Sequence, residues 1–466
     1  MLDSTTVHDR LSSLAERHNV VGASLAVAAG DETATAATGV LNRRTGAPVT
    51  ADSVFQIGSI TKVWTATLAM QLVDEGLLDL DTPIVHYLKD FRVADEEITA
   101  SVTAAHLLDH TSGISGDFFP DTGRGDDCLE RYVREMSGLP ASHPLGATMS
   151  YCNAGFVLLG RLVEVVRRAS WDAVVRERLF APLGLASAGT LPEEALLWGT
   201  AVGHFGTDVT PQWTLPRCAG PSGLVHARAL DLLAFARLHL ADGVNAAGDR
   251  VLSADSAQLM RIPRVEVPEP WTSGSNVGLG WMLYDWGRPV FGHDGVTLGQ
   301  NAYLRIVPGP EPVAIALLVT GGDAEELYQD LFAELLAEHA GITMPPRLTP
   351  AAEPVADDSA DIAGRYERAS MKFVVDERDS GFVLTARPSG VLATYVGADE
   401  LECPLIPFAP NTYLAQVPGQ PGWSPAVFYR LPDGTRYLHF ASQATPRVGG
   451  PATEPPSTRS RIASAT

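Results

Sequence analysis

Lysine is nearly absent from this 466-residue chain: Lys62, Lys89 and Lys372 are the only three, and arginine supplies the rest of the 34 basic side chains. The plain explanation would be a GC-rich genome favouring Arg codons. Against that background a retained Lys marks a place where Arg fails, because only an amine can be deprotonated for catalysis. Basic residues are also outnumbered by 55 acidic ones, for a formal net charge of −21. That argues against nucleic acid and anionic membrane surfaces as partners, since phosphate binding needs clustered positive charge. No run approaches the roughly 20 apolar residues of a membrane span. The opening MLDSTTVHDRLSSLAERHNV has the look of an amphipathic helix and lacks the pattern of a secretory signal. Cysteine is sparse as well: Cys128, Cys152, Cys218 and Cys403 are widely spaced, without a CxxC. Reduced thiols in a cytoplasmic protein are the expectation.

What is present is a sizeable apolar fraction, 45% of residues, in a chain too long for one ordinary domain. Residues 22–38 read as two strands joined by a Gly-Asp turn. From Ser59 the pattern turns helical, with Ile60, Val63, Trp64, Leu68 and Leu72 at three- and four-residue intervals up to Gly76. Further helices are expected at 103–110, 154–168, 171–180, 228–241 and 253–261. Strands return at 278–284, 300–306 and 312–319, and a helix at 324–340 closes the region. Strands at both ends of a helical middle predict an α+β fold, one antiparallel sheet flanked by helices, over residues 1–342. A Pro- and Ala-rich linker follows at 343–358. Short β-type runs between turn residues over 359–447 predict a small antiparallel β-barrel of eight strands. The tail 448–466, containing GGPATEPPST, has the composition of a disordered segment.

Three elements carry chemistry. The first is Ser59-Ile60-Thr61-Lys62. A spacing of three puts hydroxyl and amine on one helical face, and a place in the first turn gives Ser59 orphan N–H groups and the positive end of the helix dipole. Apolar flanks would desolvate Lys62 and lower its pKa toward that of a useful base. The alternative is a Ser N-cap with a surface Lys. The second is Tyr151-Cys152-Asn153, where a loop enters a helix beginning near Gly155. A Tyr there can shuttle protons and an Asn can hold a substrate amide; equally, the Asn could cap the helix. Cys152 is expected to face the core. The third is Gly292-His293-Asp294-Gly295-Val296. Its glycines permit close backbone approach, and His293 could bind a carboxylate or steady a proton relay; a plain Asp-Gly β-turn explains it as well.

These elements, in this order and at these separations, resemble the serine β-lactamase and penicillin-binding-protein superfamily. The likeness is greatest to its class C-like branch of D-aminopeptidases, DD-carboxypeptidases, esterases and peptide cyclases. SVFQIGSITK, HLLDHTSGI, RLFAPLGL and PSGLVHARALDLLAFARL look like further signatures, so that the resemblance spans about residues 10–340. The C-terminal part resembles the lipocalin-like domain appended to some members. The resemblance implies Ser59 as nucleophile, Lys62 as its base, Tyr151 as proton carrier to the leaving group and Asn153 as a substrate-orienting group. It places His293 and Gly295 in the third motif, and the N–H groups of Ser59 and Val296 in the oxyanion hole. Many members carry Lys where this chain has His293, which argues against a dedicated β-lactamase. No cofactor is implied. His106 and His110 are four apart but lack a third metal ligand and are expected to pack or cap; Asp376–Gly381 lacks the closing Glu of a calcium loop and reads as a hairpin turn. The loop 120–132 is either a wall of the substrate cleft or plain surface.

The expected activity is acyl transfer through Ser59, from an amide, ester or thioester of a peptide containing D- or unusual residues. Water would be the acceptor in a hydrolase. In a thioesterase that macrocyclises nonribosomal peptides, the substrate's own amine would take its place, and the partner would be a thioester or carrier-protein-bound peptide. A receptor acylated by penicillin without turnover is the third possibility. The scarcity of lysine generates one test. Lys62→Arg keeps the charge but cannot take a proton, so acylation rates measured with an activated ester should fall about 10²–10⁴-fold.

Overall fold

The computed structural model describes residues 2–351, 361–378, 381–389, 393, 400–420 and 422–450. The chain divides into two compact units, residues 1–347 with 442–444, and residues 348–441 with 445–466.

Among the described residues of the first unit, nine strands form one antiparallel sheet. They are β1 (Gly22–Ala29), β2 (Glu32–Asn42), β3 (Ala47–Pro48), β4 (Val265–Glu266), β5 (Asn276–Val277), β6 (Met282–Asp285), β7 (Pro289–Val296), β8 (Gln300–Val307) and β9 (Val313–Thr320). Their order across the sheet is β3-β2-β1-β9-β8-β7-β6-β5-β4. Early and late strands therefore meet at the centre, with Gly22 opposite Thr320 and Ala29 opposite Val313.

The run VAIALLVT of β9 is buried along its whole length because both faces of the sheet are covered. Its alternate residues go to different cores. Val313, Ile315, Leu317 and Val319 pack under α1 (Ser4–Arg17) and a terminal helix at Ala324–Ala340, while Ala314, Ala316 and Leu318 join the helical layer. That layer holds α2 (Thr61–Asp74), α3 (Asn153–Arg167) and α4 (Ala229–Leu240); the terminal helix is α5. Residues Thr61–Leu72 of α2 are all buried. A helix enclosed on every side carries apolar residues all round instead of one stripe. Trp64 of α2 stacks on Phe235 of α4 with centroids 4.2 Å apart. On α3, Gly160 admits Pro221: a Cβ there would lie 2.2 Å from the proline ring.

The structure corrects two local expectations. Residues 292–296 are not a turn but part of β7, with His293 opposite Leu304 and Gly295 opposite Ala302 of β8. The glycines serve as clearances, since a Cβ on Gly292 would stand 2.0 Å from the Leu304 carbonyl oxygen. The strand is anchored by Arg305, whose side chain is 1% exposed and pairs with both Asp294 oxygens at 2.5 and 2.9 Å. Tyr284 and Tyr328 cover that guanidinium at 4.3 and 4.9 Å. The second correction concerns α3, which begins at Asn153 with Cys152 as its cap: the Cys152 sulfur accepts from the Gly155 N–H.

The second unit contains a closed eight-stranded antiparallel barrel: β10 (Gly364–Arg368), β11 (Met371–Arg378), β12 (Gly381–Pro388), β13 (Leu401–Ala409), β14 (Thr412–Ala415), β15 (Ser424–Arg430), β16 (Arg436–Phe440) and β17 (Gln443–Gly449). Tyr366, Phe373, Leu384, Phe428 and Leu438 fill its interior, each from the inward side of an alternating strand. Arg378 faces Gly381 across the β11–β12 hairpin; its tip, 379–380, lies outside the described residues. Residues 448 and 449, expected in the tail, belong to β17, where Gly449 pairs with Arg365. Residues 451–466 lie outside the described residues, as do 352–360 of the expected linker. Among the described residues no helix is long and apolar enough to cross a membrane.

The α3–Pro221 contact yields a stability test. Gly160→Ala should cost about 1–3 kcal/mol by overpacking, read as a lower urea midpoint at unchanged m value.

Candidate active site

Ser59 lies in a single 3-10 turn, Gly58–Ile60, that runs directly into α2. Gly58 stands at φ +52, a left-handed conformation that glycine adopts at little cost. A Cβ on Gly58 would be 2.6 Å from the Val296 nitrogen, and one on Gly295 would be 3.0 Å from the Ser59 nitrogen. Two backbones are thus pressed together, and the pressing brings the Ser59 and Val296 amides side by side. Such a pair, at the positive end of α2, is suited to an oxyanion.

Lys62 is fully buried, and its Nζ donates to Ser59 Oγ at 2.9 Å and to the Ser222 carbonyl at 2.7 Å. The carbonyl is held there by neighbours on both sides. Thr65 Oγ1 donates to the Pro221 carbonyl at 2.7 Å, and the Val225 N–H donates to Thr61 Oγ1 at 3.1 Å. Burial pulls the Lys62 pKa down to about 7, opposed by the electrostatic influence of Cys152 and Asp117. Near neutrality a good part of the amine is therefore unprotonated, as a general base must be.

The Tyr151 ring lies under the amine, 4.8 Å from Nζ, with Phe156 at 5.9 Å. Burial pushes the phenol pKa up, and a hydrogen bond with Ser59 works in the opposite direction. The phenol therefore keeps its proton and serves as a donor. Asn153 opens α3, with its Nδ2 donating to Asp117 Oδ1 at 3.2 Å. Beside it lies an apolar recess formed by Phe118, Phe119, Pro120, Tyr132, Val157 and Pro216. From the expected 120–132 loop, Pro120 and Tyr132 line this recess next to Asn153, but its last residues are not loop: Cys128–Glu135 is a helix.

His293 is 2% exposed, and its ring is 6.1 Å from that of Tyr151. Its Nδ1 contacts the Asp294 carbonyl at 2.6 Å. A carbonyl can only accept, so the proton is on Nδ1 and Nε2 presents a lone pair. Burial, then the charge of Lys62, lowers its pKa to about 4. The imidazole is neutral at physiological pH, not partly charged as its reference pKa suggests. A neutral ring with a lone pair fits a role beside a proton relay and does not fit charge pairing with a carboxylate.

The fold thus collects Ser59, Lys62, Tyr151, Asn153, His293, Gly295 and Val296 around one point. Sequence reasoning missed the Ser222 carbonyl, Asp117 and His110, although PSGLVH and HLLDHTSGI stood out as signatures. His106 caps its helix with Thr103, as expected.

A family model described as Beta-lactamase matches residues 7–338. The chain belongs to the beta-lactamase family. Penicillin-binding protein 4 of Amycolatopsis lactamdurans is 50% identical over 368 residues, 77% of this chain and 96% of the relative. Among solved structures, the crystal structure of SurE is 28% identical, with a TM-score of 0.77 over 96% of this chain and 99% of its own. D-amino acid amidase from Ochrobactrum anthropi SV3 is 24% identical over 68% of this chain and 91% of its own, with a TM-score of 0.57, and shares the fold. Within this beta-lactamase family the chain is one of the serine hydrolases with a barrel appended.

The two shifted groups separate on the pH axis. The limb of kcat/KM governed by deprotonation of Lys62 should rise with pH through about 7, because the folded pKa is depressed to that value. His293 titrates near 4, so His293→Asn should leave the position of that limb unchanged in a pH–rate profile.

Proposed function

We propose that the protein is a serine acyl hydrolase that cleaves an amide, ester or thioester of a peptide carrying a D-configured or unusual residue. The observation that carries the reading is the 2.9 Å hydrogen bond between Ser59 Oγ and a fully buried amine with a pKa of about 7. Lys62 Nζ takes the Oγ proton as the oxygen attacks the substrate carbonyl carbon. The amides of Ser59 and Val296 receive the negative charge on the carbonyl oxygen. As the bond to the leaving group breaks, Tyr151 gives its proton to that group and is reprotonated from Lys62. Asn153 orients the substrate amide, and the His293 lone pair steadies the relay. Water then adds to the acyl-Ser59, with Lys62 and Tyr151 again moving the proton.

The D-configured substrate is supported by likeness: a crystal structure of SurE with D-Leu aligns over 96% of this chain at 28% identity. The neutral His293 supports an acyl group that offers no carboxylate to the third motif. A second reading, aminolysis by the substrate's own amine to give a macrocycle, is supported by the apolar recess beside Asn153, which favours a site poor in water. A carrier-bound peptide thioester would then be the natural partner.

Mass spectrometry after mixing the protein with a linear peptide thioester ending in a D-residue tests both. Thioester loss with gain of water supports hydrolysis, and loss without water supports cyclisation. Ser59→Ala should abolish either. A lasting penicillin adduct on Ser59, with no turnover of any ester, would instead indicate a receptor. Absence of acylation by every activated ester would refute the enzyme reading.

A further inference from the structure

His110 is 1% exposed and stands at φ +60, where a non-glycine residue is strained unless its surroundings dictate it. Its surroundings include the backbone N–H groups of the two residues next to Tyr151 in the chain. The Ser150 N–H donates to the His110 carbonyl at 2.9 Å, and the Cys152 N–H donates to His110 Nδ1 at 3.0 Å. Between them the imidazole stacks on the Tyr151 ring, centroids 4.5 Å apart and planes 29° from parallel, with Phe156 at 5.1 Å. The carbonyl and the ring of one residue in one unusual backbone conformation thus hold the residues before and after Tyr151 and cover its face.

We propose that His110 is a positioning residue that holds the Tyr151 phenol toward Ser59 and so governs proton delivery to the leaving group. The inference rests on the reading of Tyr151 as that proton donor. Core filling alone would ask only for a flat apolar side chain. It would need no acceptor toward the Cys152 N–H and no left-handed backbone. With Nδ1 accepting, the ring proton sits on Nε2, which has no hydrogen-bond partner among the described residues. Burial, then the charge of Lys62, keeps the ring neutral, which preserves that acceptor.

The test compares two esters of the same N-acetyl-D-leucine. A p-nitrophenyl ester loses a stable phenolate that needs no proton, whereas an ethyl ester loses an alkoxide that does. Asparagine tolerates positive φ and puts Oδ1 where Nδ1 was but lacks the ring; phenylalanine keeps a ring but leaves the Cys152 N–H unpaired. For both His110→Asn and His110→Phe, kcat/KM on the ethyl ester, which reads acylation apart from deacylation, should fall about 10–100-fold, the range of a weakened general acid. kcat/KM on the p-nitrophenyl ester should stay within about 3-fold. In a Tyr151→Phe background neither substitution should cost more. Equal losses on the two esters, no loss at all, or losses that add to that of Tyr151→Phe would overturn the proposal. Should Tyr151→Phe itself fail to distinguish the esters, the reading of Tyr151 falls instead. Thermal midpoints keep the His110 result separable from misfolding, and the asparagine variant covers the case in which phenylalanine does not fold.

Discussion

A fully buried lysine amine with a serine oxygen and a backbone carbonyl as its hydrogen-bond partners sets conditions that the segments around it have to meet. Removing water from an ammonium is expensive, and the protein limits that cost by letting the amine be neutral part of the time. The same desolvation that destabilises the charge makes the base. Arg could not occupy the position on either count, since it stays protonated and brings five donors that this small chamber could not satisfy. The enclosing of α2 on every side, the lashing of Pro221–Val225 to its first turns and the aromatic floor of Tyr151 and Phe156 all maintain one dry chamber. Neutral His110 and His293 belong to the same economy: a second cation near Lys62 would repel it, and burial prevents either from becoming one.

The opposite requirement holds a few ångströms away. There, donors must meet developing negative charge, and they are supplied by backbone alone. Gly58 and Gly295 are each other's clearance, so the Ser59 turn can lie against the edge of β7. The pair of half-buried Asp294 with buried Arg305, capped by tyrosines, fastens that strand from the other face of the sheet. Rigid strand and rigid turn together give a preorganised pair of amides, which is worth more than the same amides on mobile loops.

How much of this was legible in the sequence follows from how local each feature is. Ser59 and Lys62 were readable because a spacing of three on a helix is geometry in itself. The early and late strands and the eight-stranded barrel were readable from period and turn residues. β7 was not: Gly292, Asp294 and Gly295 imitate a turn, and their true reason is the close approach of other backbones, which local pattern does not encode. The cap of α3 fell to Cys152 instead of Asn153 because the thiol reaches the Gly155 N–H, leaving Asn153 to face Asp117. The Ser222 carbonyl is a main-chain group with no residue-type signal. His110 shows the same limit, since its strained φ and its grip on Tyr151 exist only after the loop and α3 have docked.

The pairing of β1 with β9 also has a bearing on the order in which the chain is made. Ser59 and Lys62 leave the ribosome early, whereas Val296 and the central strand β9 emerge only near the end of the first unit. Until then β1 and β2 form a hairpin with one open edge, a template for wrong pairing, and α2 has no sheet to lie on. Closure of such distant contacts is slow. The nascent nucleophile is therefore mute: it has a hydroxyl and an amine, but no second amide opposite and no walls to exclude water. A chain broken off before β9 carries the Ser59–Lys62 motif without the strand that pairs with β1.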